Sequence, residues 1–576
     1  MKSKLLKQSC LAVAVAGLLA CNYNDAKHTD TASIGVNNIA AKKSGTLESA
    51  TKLEADSFAN NSQNSWYIDA EAKIAQAKIN SSKINNTRGA AKNIILFVGD
   101  GMGISTITAA RILAGQRKGM MGEENQLSFE QFPFSGLSKT YNVDTQTPDS
   151  AGTMTAIISG VKTDAGLIGV SEHGSRADCA TTAGNELVTA LELAEIAGLA
   201  TGIVSTARVT HATPAATYAK SVERNWEDDS DMPAAAKLAG CKDIAAQLID
   251  FEANLEAKYA GVDVDGMEVV MGGGRRGFLP KVAAATSSAV VNNGGGDRVD
   301  NRNLIAEWQS IYPAGAYVSD QAGFDAIDAA STSRVFALFN PSHIRYEADR
   351  TNAVAGEPSL SEMTAKAIDV LGNNPKGFFL MVESGRIDHA HHAGNAYNAL
   401  TDTIELAKAV QVAVDNTDAE ETLIIVTADH SHVFTMAGYP KRGNPILGKV
   451  VSVGATTPQL AADGMPYTTV GYANGYGFRD YGMVSNADSV YDGAAPLSGR
   501  IDITSVDTQA PGYHQEALVP LQTETHGGED VAIFAQGPAS HLVTGTNEQS
   551  IIFHVMNFAG DLAQKANAVL NASREN

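Results

Sequence analysis

Runs of consecutive apolar residues recur along the chain, and each is followed by small, charged or imidazole-bearing residues. Asn93–Val98 is the first, Thr201–Ser205 the second, Gly377–Val382 the third, Thr422–Val426 the fourth and Val531–Phe534 the fifth. An uninterrupted apolar run, unlike an alternating one, predicts a strand covered on both faces. Helix-period stretches separate them, among them Ile107–Ala114, Glu186–Ala197 and Thr401–Val414. This rhythm predicts an α/β fold, a mostly parallel central sheet covered by helices on both faces. From about Met436 to Thr523 the rhythm stops, and Gly, Pro, Tyr and Asn take over. That segment is expected to be an inserted subdomain.

The start of the chain follows a different pattern. Lys2, Lys4 and Lys7 precede an apolar core, Leu11–Ala20, that is too short to span a bilayer. It ends in Leu18-Leu19-Ala20-Cys21, which resembles the bacterial lipobox. Residues 1–21 are therefore expected to be a lipoprotein-type signal, with Cys21 lipidated and first in the mature chain. An ordinary cleaved signal peptide is the rival reading, and both export the chain from the bacterial cytoplasm. Residues 22–64 are rich in Asn, Ser, Thr, Ala and Lys without an apolar period, the composition of a flexible tether. A helical pattern begins near Trp66, through Ala70, Ile74 and Ile79, and opens a domain expected to fill residues 65–576. Only Cys179 and Cys241 remain in it, and two cysteines in an exported chain are expected to pair.

Charge narrows the functional classes. The 576 residues carry a formal net charge of −21, which argues against a nucleic-acid-binding surface. An anionic substrate would meet a repulsive field unless a local positive centre reversed it.

Such a centre is legible at the strand ends. The first run leads into Gly99-Asp100-Gly101-Met102-Gly103, and the second into Arg208, His211 and Thr213. The third leads into Glu383, Asp388 and His392, and the fourth into Asp429, His430 and His432. Ligands of open α/β sheets bind beyond the carboxyl ends of the strands. Five of the 13 histidines, His389, His391, His392, His430 and His432, fall in two short segments. Imidazole with carboxylate suits zinc, which fits Asp388/His392 and Asp429/His430; the oxygens of Asp100, Glu383 and Thr213 suit magnesium. His389, His391 and His432 are read as groups that orient the ligands by hydrogen bonds. Ser150, in Thr147–Ala156, precedes a helix-prone run without a Gly-x-Ser-x-Gly elbow. It is either a helix cap or a nucleophile activated by zinc instead of histidine. Arg224 has the fork that matches two phosphate oxygens.

In this order FVGDGMG, TPDSAGTMTA, THATPA with SVERNW, VESGRIDHAHH, VTADHSHVF and ETHGGEDVAIFAQGP resemble the alkaline phosphatase family, from about Trp66 to Ala563. The resemblance implies two zinc ions and one magnesium ion per subunit, a homodimer, and hydrolysis of phosphate monoesters. It implies Ser150 as the phosphorylated residue and Arg224 as the phosphate clamp. Asp388, His392 and His526 match one zinc site; Asp100, Asp429 and His430 match the other, joined by Ser150. Asp100, Thr213 and Glu383 match the magnesium site. His526 enters through this match alone. His211 and His389 resemble the animal branch, as do the disulfide positions Cys179 and Cys241 and the crown-like insertion at about 436–523 with GYPKRGNPILG and YANGYGF. One departure concerns calcium: a Phe-Glu-Pro segment of the animal enzymes reads Phe339-Asn340-Pro341 here, and calcium is left unassigned. The alternative function is a phosphodiesterase or another hydrolase of the same superfamily. The Cys/Ser-x-Pro-x-Arg motif of sulfatases is missing from Thr147–Ala156. A non-catalytic, metal-binding surface lipoprotein would have no need of Ser150 and Arg224 beside the ligands.

Overall fold

The computed structural model describes residues 88–259, 261–281, 295–353, 356–477, 479–480 and 500–575, with Ile74 and Ile79. The leader with Cys21, the 22–64 tether, Trp66 and Ala70 lie outside the described residues, as do 478 and 481–499 of the expected insertion. Everything below concerns the unit Ala77–Asn576.

Ten strands form the main sheet: β1 (Asn93–Gly99), β2 (Phe134–Lys139), β3 (Ala200–Arg208), β4 (Val269–Gly273), β5 (Ala316–Val318), β6 (Val335–Asn340), β7 (Phe378–Ser384), β8 (Thr422–Ala428), β9 (Val531–Gln536) and β10 (Thr546–Glu548). Their spatial order is β10-β2-β9-β8-β1-β7-β3-β4-β6-β5. All neighbours run parallel except β9, which is antiparallel to both β8 and β2. The five apolar runs are thus β1, β3, β7, β8 and β9.

Side chains of β1 divide between two cores, as its unbroken apolar run requires. Ile94, Leu96 and Val98 pack with Met154 and Ile157 of α2 (Ser150–Ser159) and Ile552 and Val555 of α6 (Ile551–Gly560). Ile95 and Phe97 pack on the other face with Ile107 of α1 (Ile104–Arg117), Met363 of α3 (Leu360–Leu371) and Leu400 of α5 (Ala396–Asn416). Each such aliphatic side chain contributes about 1.5–3 kcal/mol on burial. Within the segment expected to be an insertion, Val470–Gly475 joins Phe434–Met436 and Ala517–Pro520 in a separate three-stranded sheet. Cys179 and Cys241 form a disulfide across 62 residues. Among the described residues no helix is long and apolar enough to cross a membrane.

The amino-terminal edge of the sheet, opposite the strand ends that carry the candidate ligands, holds an acid pair, Glu195 buried and Glu268 half-buried. Glu195 accepts from the Thr201 hydroxyl and Glu268 from the Thr201 amide, both at 2.7 Å. Burial pushes both carboxyls up, and the two charges oppose each other in Glu268. A carboxyl with a raised folded-state pKa binds its proton more tightly in the native state. Stability is then greatest where both states are protonated, and falls as pH rises from the ordinary glutamate range into the neutral and alkaline range. Glu268→Gln should therefore raise the melting temperature at pH 9 and leave it nearly unchanged at pH 5. An equal shift at both pH values would mean that Glu268 is already ionised in the native protein.

Candidate metal centre

The four central strands, β8, β1, β7 and β3, explain how residues far apart in sequence meet. Asp100 directly follows β1, and Glu383 is the penultimate residue of β7. Asp388 and His392 lie four apart on α4 (Arg386–His392), on one helix face. Asp429 and His430 leave β8, and His211 and Thr213 leave β3. His526 arrives from elsewhere: the short strand His526–Gly527 pairs antiparallel with Ser431–His432, setting His526 opposite His432. The turn after β1 also needs glycine. Gly101 has φ +69°, and a Cβ there would stand 2.3 Å from the His432 ring.

Three groupings of donor atoms result. Asp388 Oδ1 lies 3.3 Å from His392 Nε2 and 3.3 Å from His526 Nε2, and the two imidazole nitrogens are 3.0 Å apart. In the second grouping His430 Nε2 lies 3.4 Å from Asp100 Oδ1, 3.4 Å from Asp429 Oδ2 and 3.1 Å from Ser150 Oγ. Ser150 Oγ is 3.4 Å from Asp100 Oδ1. Ligands about 2.0–2.1 Å from zinc in a tetrahedron stand about 3.3 Å apart, so both donor sets fit that ion. In the third, Asp100 and Glu383 converge with His211. Asp100 Oδ2, Glu383 Oε1, Thr213 Oγ1 and His211 Nδ1 are all buried without a hydrogen-bond partner. Orphaned oxygens of this kind are costly in a folded interior, and a hard cation would satisfy them.

Tautomers support the same division. His392 Nδ1 faces the Glu524 carbonyl at 2.6 Å, His526 Nδ1 the Pro148 carbonyl at 2.7 Å, and His430 Nδ1 the Ser431 carbonyl at 3.2 Å. A carbonyl only accepts, so each Nδ1 carries the proton and each Nε2 keeps its lone pair toward the centre. His432 differs. Its Nδ1 meets Glu524 Oε2 at 2.6 Å and its Nε2 meets Asp388 Oδ1 at 2.7 Å. Burial opposes its charge, but the two carboxylates outweigh burial and push it up to about 10. His432 therefore orients Asp388 as a cation. His391 has both nitrogens engaged, with Thr106 and Tyr472 at 2.9 Å each. His389 contacts Arg386 and stands 5.4 Å, ring to ring, from His211.

Electrostatics call for positive charge. Burial, then the charges of Asp429, Asp388 and Glu383, pushes the Asp100 carboxyl well above its usual range. Burial also raises Glu383 and Asp429. Asp388 is the exception: burial acts against it, but His392, His432 and His526 hold it well below the usual range. Divalent cations among these carboxylates would supply the missing compensation.

Ser150 is the first residue of α2, not its cap. Asp149 is the cap: its Oδ1 accepts from the Gly152 amide at 3.1 Å. Asp149 Oδ2 accepts from Arg224 Nη1 at 3.1 Å, and Arg224 Nη2 meets His211 Nε2 at 3.3 Å. The arginine is thus held from both sides beside Ser150. Sequence reasoning passed over Asp149 and Glu524, although an Asp before a helical run is a standard capping signal. At the Phe339-Asn340-Pro341 departure, Asn340 donates to Glu357 at 2.6 Å and accepts from the Ser342 amide at 3.0 Å. Both polar atoms of its side chain are engaged within the protein.

Comparison with known proteins identifies the family. The alkaline phosphatase family model matches residues 91–562. The tissue-nonspecific alkaline phosphatase of Gallus gallus is 44% identical over 472 residues, covering 81% of this chain and 84% of the relative. Its Homo sapiens counterpart is 42% identical over 498 residues, covering 86% and 88%. Among solved structures, Thermus thermophilus alkaline phosphatase superposes with a TM-score of 0.56 at 24% identity, over 84% of this chain and 97% of that one. That likeness concerns the fold. With the family model spanning most of the domain and relatives above 40% identity over most of the chain, the protein belongs to the alkaline phosphatase family and is a phosphomonoesterase.

Proposed function

We propose that the chain hydrolyses phosphate monoesters through a phosphoserine on Ser150, at a centre for two zinc ions and one magnesium ion. The observation that carries this reading is the position of Ser150 Oγ, within 3.4 Å of both Asp100 Oδ1 and His430 Nε2. Asp388, His392 and His526 would hold one zinc, and Asp100, Asp429 and His430 the other. Asp100, Thr213 and Glu383 would hold magnesium. When bound, the ions supply positive charge for the phosphoryl group and lower the pKa of a coordinated hydroxyl.

The protein's own groups do the rest. Arg224, braced by Asp149 and His211, offers its fork to two phosphoryl oxygens. Ser150 Oγ attacks phosphorus in line with the departing alkoxide, and the P–O bond to the alcohol breaks. Water then attacks the phosphoserine, which breaks the Ser150 Oγ–P bond and releases phosphate. Ser150 begins α2, so the positive end of that helix faces the anion throughout.

The first test is turnover of p-nitrophenyl phosphate by the purified protein. Dialysis against a chelator should abolish it, and zinc with magnesium should restore it. Faster cleavage of bis-p-nitrophenyl phosphate than of the monoester would overturn the assignment. Glu383→Gln should lose magnesium and slow turnover while retaining both zinc ions, because Glu383 lies with the oxygen donors. Metal analysis showing zinc lost and magnesium kept would reverse the division of ligands.

The sequence reading also supports an exported, homodimeric enzyme tethered by a lipid on Cys21 at the periplasmic or outer side of a membrane. Mass spectrometry of the mature amino terminus tests the tether. A mature chain that starts elsewhere and carries no lipid would refute it.

A further inference from the structure

Behind the Arg224 clamp lies a polar network that plays no part in the reaction as set out above. Arg208, the last residue of β3, forms a two-point ion pair with Glu227: Nε to Oε2 at 2.6 Å and Nη2 to Oε1 at 2.5 Å. The Thr210 hydroxyl donates to Glu227 Oε2 at 2.6 Å. The remaining arm of Arg208, Nη1, faces His343 Nε2, and the Arg208 amide donates to His343 Nδ1 at 3.2 Å. His343 follows β6 in sequence, and its ring lies 4.1 Å from that of His389 and 5.7 Å from that of His211.

These contacts connect separate parts of the chain. Glu227 lies three residues after Arg224. Thr210 immediately precedes His211, which touches the Arg224 guanidinium. His343 comes from the β6 exit and His389 from α4. Glu227 is itself held from behind, because its carbonyl accepts from the Ala245 amide at 3.0 Å. The outer side of the network borders a cavity of about 190 Å³, lined in part by Arg208, Thr210, Glu227 and Arg276. With open space there, the ion pair supplies the support that packing would otherwise give.

We infer that Glu227, Arg208 and His343 form a positioning network that sets the phosphate affinity of the clamp through His211 and His389. The inference rests on the reading of Arg224 as that clamp. Both ring nitrogens of His343 face N–H groups of Arg208, and a neutral ring can accept from only one of them, so a single accepted hydrogen bond and ring packing at 4.1 Å hold His343 behind His389. Glu227 fixes Arg208 and Thr210 together, and with them the backbone that leads into His211. Loosening either end frees His211 from Arg224 Nη2, so that Asp149 alone braces the guanidinium. Binding of the phosphoryl group then weakens, while the Ser150 centre is untouched.

The test compares Glu227→Gln, His343→Leu, His343→Asn and Arg224→Ala, using KM and kcat for p-nitrophenyl phosphate and the competitive Ki of inorganic phosphate. Glu227→Gln and His343→Leu should each raise KM and Ki by about five- to tenfold with kcat changed less than about twofold, the scale of one ordinary hydrogen bond's net contribution. His343→Asn keeps an acceptor for the Arg208 amide and should restore most of the phosphate affinity. Either Glu227→Gln or His343→Leu suffices if the other does not fold. An unchanged Ki in the folded variants, beside a raised Ki in Arg224→Ala, would overturn the network and leave the clamp standing. Lower kcat and melting temperature with Ki unchanged would do the same, marking a merely structural role. An unchanged Ki in Arg224→Ala would remove the clamp reading itself.

Discussion

Asp100→Asn should lose two of the three metal ions and at least about a thousandfold in kcat/KM, which is about 4 kcal/mol of transition-state stabilisation. The reason is its position between two donor sets. Oδ1 stands 3.4 Å from both His430 Nε2 and Ser150 Oγ. Oδ2 is buried without a hydrogen-bond partner, and Asp100 also clusters with Glu383 and His211. An amide has the same shape but half the acceptor capacity and no charge, so it cannot serve both sides. Asp388, His392 and His526 do not depend on Asp100 for their mutual spacing. Metal analysis of Asp100→Asn should therefore find one zinc per chain. Three ions retained, or magnesium alone lost, would show that Asp100 is not the bridge.

The legibility of this centre follows from where each residue sits. Asp100, Glu383, Asp429 and His430 were readable because each ends an unbroken apolar run, and a parallel sheet brings such ends to one edge. Strand order was not readable. Nothing in the sequence says that β8, β1, β7 and β3 are neighbours, since pairing is decided by contacts between distant segments. The shorter strands were also silent. Phe134–Lys139 mixes Ser, Gly and Lys with its apolar residues, and Val269–Gly273 ends in two glycines; neither carries a clear period.

His526 shows a second limit. No apolar run precedes it, and its place depends on a two-residue pairing with Ser431–His432. Only the ETHGGED match pointed to it. Glu227, Arg208 and His343 mark a third. Their order along the chain is unremarkable, and they become a unit only when the exits of β3 and β6 lie side by side. Asp149, by contrast, was within reach. Its capping role follows from an Asp ahead of Ser-Ala-Gly-Thr-Met, and recognising it would have removed the cap reading for Ser150.

Ser150→Ala should lose at least about a thousandfold in kcat, about 4 kcal/mol, and keep its full metal content. The cap of α2 belongs to Asp149, whose carboxylate holds the Gly152 amide, so removing the Ser150 hydroxyl costs the helix little. Asp100, Asp429 and His430 keep their own contacts: Asp429 Oδ1 accepts from the amides of Gly101 and His430 at 3.1 and 2.9 Å. What the substitution removes is the proposed nucleophile. On the proposed mechanism the phosphoryl group would pass to Ser150 Oγ and then to water, two in-line displacements that each invert phosphorus. A chiral phosphate ester should therefore give net retention. Acid quench with labelled substrate, followed by peptide mapping, should locate the label on Ser150. Net inversion in the unmutated enzyme, or a Ser150→Ala variant that works at near wild-type rate, would assign the attack to water and leave the hydroxyl as a ligand only.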